Sequence, residues 1–307
     1  MSPESNDRTP GGDPRLSRDA GNPDRPDFIQ PGHPPIPPPR FTRELTTLVT
    51  VPLLIYIVGW APGWVWTSVV GATAALALWE FLSMGEKKGY PIHRFLSVAL
   101  LAVILVGFVD PRISVEVGVF AVLLIIPASY VFARSDLESA LPASAVCVLG
   151  ILYVGMLAGA MIRLRLDFPT YGARLIFFLL IIVWIGDAGA YYVGKRFGRR
   201  KLMPRVSPKK TVEGGIGGIV ISLLAAIGVH FAFFPEFPLH HAVFAAAILS
   251  TMGIIGDLAE SAWKRSAAVK DSSGLIPGHG GFLDRIDSVI FTAPLLYAYW
   301  YILKIPG

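Results

Sequence analysis

The chain has 307 residues, of which 53% are hydrophobic and 16% charged, with a formal net charge of +5 and a mean hydropathy of +0.56. Soluble domains hold about 25% charged residues, so a soluble fold of this sequence would leave large apolar patches in water. Composition also excludes a disordered chain and a fibrous repeat. A lone cysteine, Cys147, excludes an intramolecular disulfide and a cysteine-based metal site.

Residues 1–42 stand apart from the rest. Eleven of the 25 prolines fall in the first 40 residues, and the stretch Gly32 to Arg40 favours polyproline II. With nothing to bury, this segment is expected to be a disordered cytoplasmic tail, either simply solvated or a ligand for a proline-binding module. It lacks the basic start and apolar stretch of a signal peptide.

From Glu44 onward nine apolar runs follow one another: 44–62, 64–83, 95–109, 114–133, 142–162, 174–194, 215–235, 241–256 and 285–303. About 20 residues cross a bilayer core, so the shorter runs need tilt, a kink or polar extensions. Trp60, Trp64, Trp66, Tyr299, Trp300 and Tyr301 sit near run ends, as interfacial aromatics do. The expected fold is an all-α polytopic membrane protein of about nine transmembrane helices, with a polar active-site cleft on the cytoplasmic side. About five helices fall in 43–172 and about four in a catalytic region, 173–307. Nine crossings put sixteen loop lysines and arginines on the N-terminal side and five on the other. The positive-inside rule then makes the N-terminus and the basic loops cytoplasmic. Residues 1–160 offer no chemistry of their own.

Three polar features follow. Asp187 lies inside an apolar run, where a carboxylate costs a few kcal/mol and marks a functional site unless a buried cation satisfies it. The loop 195–218 carries eight lysines and arginines within 195–210. Such charge often only sets topology or contacts anionic lipid. Its second half differs: Ser207, Lys209, Lys210 and Thr211 offer donors to phosphate oxygens, and Gly214, Gly215, Gly217 and Gly218 let backbone amides approach an anion at a helix start. The spacing is not that of a Walker A loop. In residues 256–288, Asp257, Glu260, Ser261, Lys264 and Arg265 share one helical face, and Asp284, Asp287 and Ser288 share the first turns of the last run. Clustered carboxylates without cysteine suit Mg²⁺, and neighbouring lysines suit phosphates. An amphipathic loop whose charges pair with each other would read the same way.

Ser261-Ala262-Trp263-Lys264-Arg265, Lys270-Asp271, Ser273, Ile276-Pro277, His279-Gly280-Gly281-Phe282 and Asp284-Arg285-Ile286-Asp287 together closely resemble the signature of the phosphatidate cytidylyltransferase (CDP-diacylglycerol synthase) family. Trp263 departs, standing where the family usually has an aliphatic residue or Phe. A second block resembles the family from Asp187-Ala188 through Gly194-Lys195 and Ser207-Pro208-Lys209-Lys210-Thr211 to Gly217-Gly218. The resemblance is strong over 180–303.

It implies transfer of CMP from CTP to phosphatidate, giving CDP-diacylglycerol and pyrophosphate, with Mg²⁺ and a second cation such as K⁺. It also implies a homodimer in a bacterial inner membrane, with lipid rather than nucleic acid as partner. By the family motifs, Asp257 and Asp284 hold the metal, with Asp187 and Asp287 as further candidates. Lys209, Lys210, Lys264, Arg265 and Lys270 are candidates for the phosphates, with Ser207, Thr211, Asp271 and Arg285 beside them. His279 is read either as a donor to a phosphate or as an anchor of the Gly-Gly turn, and Asp287 either as a ligand or as the partner of Arg285. The competing expectations are a CTP-dependent polyprenol or phytol kinase or a related CDP-lipid synthase of the same fold, such as one for ether-linked isoprenoid lipids, and, more remotely, a transporter using Asp187 and the basic loop.

Overall fold

The computed structural model describes residues 40–133, 136–273 and 281–303, with side chains from Leu48 onward. The tail up to residue 39, Arg134, Lys304 and signature positions 276–280, His279 among them, lie outside the described residues.

Among the described residues all nine apolar runs are helices: α1 (Arg40–Gly59), α2 (Gly63–Lys87), α3 (Arg94–Val109), α4 (Val115–Val131), α5 (Leu137–Leu166), α6 (Gly172–Phe197), α7 (Val212–Ala232), α8 (Leu239–Ser266) and α9 (Leu283–Leu303). Six of them, α2 and α5 to α9, are long and apolar enough to cross a membrane, and the chain is a multi-pass membrane protein. The 16 residues of α3 and 17 of α4 reach only about 24–26 Å at 1.5 Å per residue, short of a hydrocarbon core of roughly 30 Å. Exposed apolar side chains such as Phe120, Leu124, Leu224 and Phe231 cover the outside of the bundle, where lipid stands in place of water.

The all-α expectation needs one amendment. Between α6 and α7 the chain makes an antiparallel hairpin, β1 (Lys201–Met203) and β2 (Ser207–Thr211), pairing Lys201 with Thr211 and Met203 with Ser207. Three and five residues, with lysines at 201, 209 and 210, carry no alternation of apolar and polar side chains from which a strand could be read.

Two apolar cores hold the helices. One gathers α6 to α9 around Phe178, Phe234, Phe237 and Trp300. The other gathers α2 to α5 around Leu78, Ile104 and Ile151, and it takes in Ala267 and Leu283 from the C-terminal region. The start of α9 is thus built into the N-terminal core.

The closest pairing, α6 on α7, rests on small residues at four-residue spacing: Gly186, Ala190 and Gly194 against Gly214, Gly218 and Ser222. A Cβ on Gly186 would meet Ser222 Oγ at 2.4 Å, and one on Gly218 would meet the Gly186 carbonyl at 2.8 Å. This is how helices approach when lipid removes the hydrophobic drive between them. Gly214, Gly217 and Gly218, expected to open backbone amides to an anion, are packing residues instead. Gly218→Leu is therefore expected to abolish accumulation of folded protein. Gly228→Ala, with no neighbour within 4 Å of the added carbon, should leave stability unchanged or raise it by up to about 1 kcal/mol, read from the melting temperature in detergent.

Candidate active site

The C-terminal half of α8 presents its polar residues as one strip, as its spacing predicts. Ser261 Oγ donates to Asp257 Oδ1 at 3.2 Å, and Lys264 Nζ lies 3.2 Å from Glu260. The strip is tied to two neighbours. On one side Lys210 of β2 pairs with Asp257 at 2.5 Å, and Arg265 Nε donates to the carbonyl of Val206 in the hairpin turn at 3.3 Å. On the other, Lys264 Nζ donates to Asp284 Oδ1 on α9 at 2.6 Å, a pair whose side chains are only 12% and 7% exposed.

The strip ends in a Schellman turn. Val269 N–H reaches back to the Lys264 carbonyl at 2.9 Å and Ala268 N–H to that of Arg265 at 3.0 Å. That turn puts Ala268 at φ +56°, a left-handed conformation that favours glycine. Ala268→Gly should stabilise the protein by about 1 kcal/mol, read as a higher melting temperature in detergent.

Asp284 is held on every side. Besides Lys264 on Oδ1, its Oδ2 accepts from Ser272 N (3.0 Å), Ser272 Oγ (2.9 Å) and Gly281 N (2.8 Å). The structure pairs Asp284 with Lys264, and its four donors describe a carboxylate that ties Lys264, Ser272 and Gly281 to the start of α9. A second carboxylate does similar work from an unexpected quarter. Glu80 of α2, 1% exposed, accepts from Phe282 N (3.0 Å), Leu283 N (2.8 Å) and Ser273 Oγ, and lies 3.0 Å from Ser272 Oγ. Glu80 was legible by the rule that singled out Asp187, a carboxylate inside an apolar run; it lacked only a motif around it.

Three aspartates, Asp187, Asp257 and Asp287, come from three helices, α6, α8 and α9. Asp187 of α6 is accessible beside Gly186, Gly218, Ser250, Gly253 and Ile254, and the charges of Asp257, Asp287 and Lys210 act on it. Asp287 of α9 is 8% exposed, its Oδ1 taking the Ser288 amide at 2.6 Å, and Glu260 lies fully buried beside it. Oxygen donors without sulfur or nitrogen are the chemistry of a hard divalent cation. In the present side-chain arrangement no three His, Cys, Asp or Glu groups among the described residues are close enough together to hold an ion.

The basic hairpin splits into three uses. Lys209 is exposed, while Ser207 is half-buried opposite Met203. Thr211, expected at a phosphate, caps α7 by accepting from Gly214 N at 3.2 Å. Glu213 accepts from the amides of Arg199 (3.0 Å) and Arg200 (3.1 Å), closing the loop before β1. A cavity of about 580 Å³ lies there, lined by Arg196, Phe197, Gly198, Arg199, Arg200 and Glu213, apart from Asp187, Asp257 and Asp287. Lys270, Asp271 and Arg285 are exposed. Trp263, the departure from the signature, packs edge-on against Phe81 (5.3 Å) and Tyr153 (4.9 Å), joining α8 to α2 and α5. Away from this site, Arg174 pairs with Glu236 at 2.6 Å; the Glu236 backbone amide and that guanidinium hold its carboxyl below the usual carboxylate range.

Curated relatives cover most of this chain. A phosphatidate cytidylyltransferase of Bacillus subtilis strain 168 is 36% identical over 251 residues, 80% of this chain and 91% of the relative. One from Staphylococcus aureus strain COL is 34% identical over 259 residues, covering 83% and 95%. One from Haemophilus influenzae strain Rd is 35% identical over 260 residues, covering 76% and 89%. Residues 41–303, which span every described helix but the first residue of α1, match the Cytidylyltransferase family as a whole, and the chain belongs to that family.

Proposed function

We propose that this enzyme transfers CMP from CTP to phosphatidate, forming CDP-diacylglycerol and releasing pyrophosphate. One observation carries the reading: the signature residues Lys264 and Asp284 form a buried pair, in a chain 36% identical to a phosphatidate cytidylyltransferase.

The lipid phosphate is already an anion near neutral pH, so no side chain has to deprotonate it. An oxygen of that phosphate attacks the α-phosphorus of CTP, the bond from that phosphorus to the bridging α–β oxygen breaks, and the electron pair leaves with pyrophosphate. What the protein supplies is position and positive charge for two anions that repel each other. Lys264 is fixed by Glu260 and Asp284 in one place, which suits it to meet a phosphate oxygen without reorganisation. Lys209 and Lys210 bring a second positive group from the hairpin, and Arg265 keeps that hairpin docked on α8. Asp257, with Asp187 and Asp287, would hold Mg²⁺, a monovalent cation such as K⁺ accompanying it. When bound, these ions neutralise phosphate charge. Asp284 reaches an ion only if Lys264 gives way, so its first role is to hold Lys264, Ser272 and Gly281.

The acyl chains can stay in the bilayer while the head group enters between α6, α7 and α8. Nine crossings, with the hairpin and the end of α8 in the cytoplasm of a bacterial cell, fit the sixteen-to-five asymmetry of loop lysines and arginines. The test is pyrophosphate release by purified protein in detergent with CTP, Mg²⁺ and phosphatidate. Release that depends on phosphatidate supports the reading. Nucleotide use with a prenol but not with phosphatidate would move the enzyme to the kinase branch.

A further inference from the structure

We infer that Glu80, on α2, is a positioning residue of the active site: it caps the start of α9 from another helix and fixes the signature segment on Asp284. The inference rests on the reaction proposed above. The first amides of a helix have no partner within it, and a carboxylate there satisfies them and complements the helix dipole. Asp284, in the first turn of α9, takes the amide of Gly281, while the amides of Phe282 and Leu283 both go to Glu80, some 200 positions away in sequence. From the other side of the segment Ser273 Oγ donates to the same carboxylate.

Ser272 completes the link. Its hydroxyl stands 3.0 Å from Glu80 and 2.9 Å from Asp284, a single hydrogen between two carboxylates. Glu80 is therefore one hydroxyl away from the residue that fixes Lys264. No space is left over: a Cβ on Gly281 would sit 1.9 Å from Ser272 Oγ and 2.4 Å from Glu80 Oε2. The N-terminal helices thus set the register of α9, and with it the placement of Asp284, Arg285 and Asp287.

Glu80→Gln is the test, in full-length protein. Glutamine keeps the volume but turns an NH₂ toward one backbone amide, which loses its acceptor, while the serine hydroxyl on the same side can turn to accept instead. The expected result is a fall in kcat of about 30-fold or more with the KM for CTP changed by less than about threefold, as a misplaced catalytic group produces. Hydrogen exchange at the amides of Phe282 and Leu283 should speed up, with exchange in α6 and α7 unchanged. Glu80→Asp, which keeps the charge but is one methylene short, should fall between the two. Wild-type kcat in Glu80→Gln, or a loss matched by the unfolded fraction, overturns the inference. If Glu80→Gln does not fold, Ser273→Ala removes one donor to the same carboxylate from the loop side. Faster exchange at 282 and 283 with lower kcat then supports the role, and neither change overturns it. A wild-type protein that makes no pyrophosphate overturns the reaction instead, and the exchange measurements still decide the part played by Glu80.

Discussion

Asp284→Asn is expected to lower phosphatidate-dependent pyrophosphate release about 100-fold or more, while leaving the Mg²⁺ concentration for half-maximal activity within about threefold of wild type. Asparagine fits the space, but its amide can accept on one atom only. Either Lys264 on Oδ1 or the Ser272 and Gly281 donors on Oδ2 must lose a partner. Lys264 then keeps only Glu260, at 3.2 Å on its own helix, and swings toward it. Breaking one side of a buried pair costs about 3–5 kcal/mol before relaxation. A loss of about 3 kcal/mol in the transition state is about 100-fold in rate. The Mg²⁺ titration separates the two parts Asp284 could play. A large rise in the Mg²⁺ requirement would make it a ligand, as the signature implies. An unchanged requirement with a collapsed kcat makes it the anchor of Lys264.

How much of this was legible before any coordinates depends on whether a residue acts through local pattern or through a distant partner. The nine helices are readable because each apolar run is long and bounded by polar residues. The strip from Asp257 to Arg265 is readable because helical spacing alone puts those residues on one face; the signature singles out Lys264 and Asp284 for a phosphate and a metal, and their pairing is not readable from it. The hairpin is not, since eight mostly polar residues hold it by backbone pairing and by Arg265 at the Val206 carbonyl. The glycines after Thr211 show how one residue type serves two ends. Freedom to approach an anion and freedom to approach a helix both require the missing side chain, and the partner row on α6 decides for packing. Glu80 stands out as a carboxylate in an apolar run, but its partners are hidden by distance, for its four donors come some 190 to 200 residues later. The same distance explains why the first 160 residues read as inert. Among the described ones, Glu80 is a carboxylate aimed at another part of the chain.

Asp257→Asn is expected to act in the opposite manner to Asp284→Asn: the Mg²⁺ requirement rises about tenfold or more, and the residual rate at saturating Mg²⁺ stays well below wild type. Asp257 is about a third exposed, as is its partner Lys210. Such a pair contributes about 1 kcal/mol or less to stability, so the variant should fold and melt as wild type does. The loss then belongs to function. Asp257 is the middle one of three aspartates on α6, α8 and α9 whose charges act on one another, and an amide in its place removes a charge from the set that would hold a cation. Lys210→Met tests the other half of the pair. It frees Asp257 of its competing ammonium and takes a cation from the hairpin, so the KM for CTP should rise several-fold while the Mg²⁺ requirement falls or holds. If both variants shifted KM for CTP alone, with no change in Mg²⁺ dependence, Asp257 would serve to place Lys210 on the nucleotide, and the cation would have to be sought at Asp187 and Asp287.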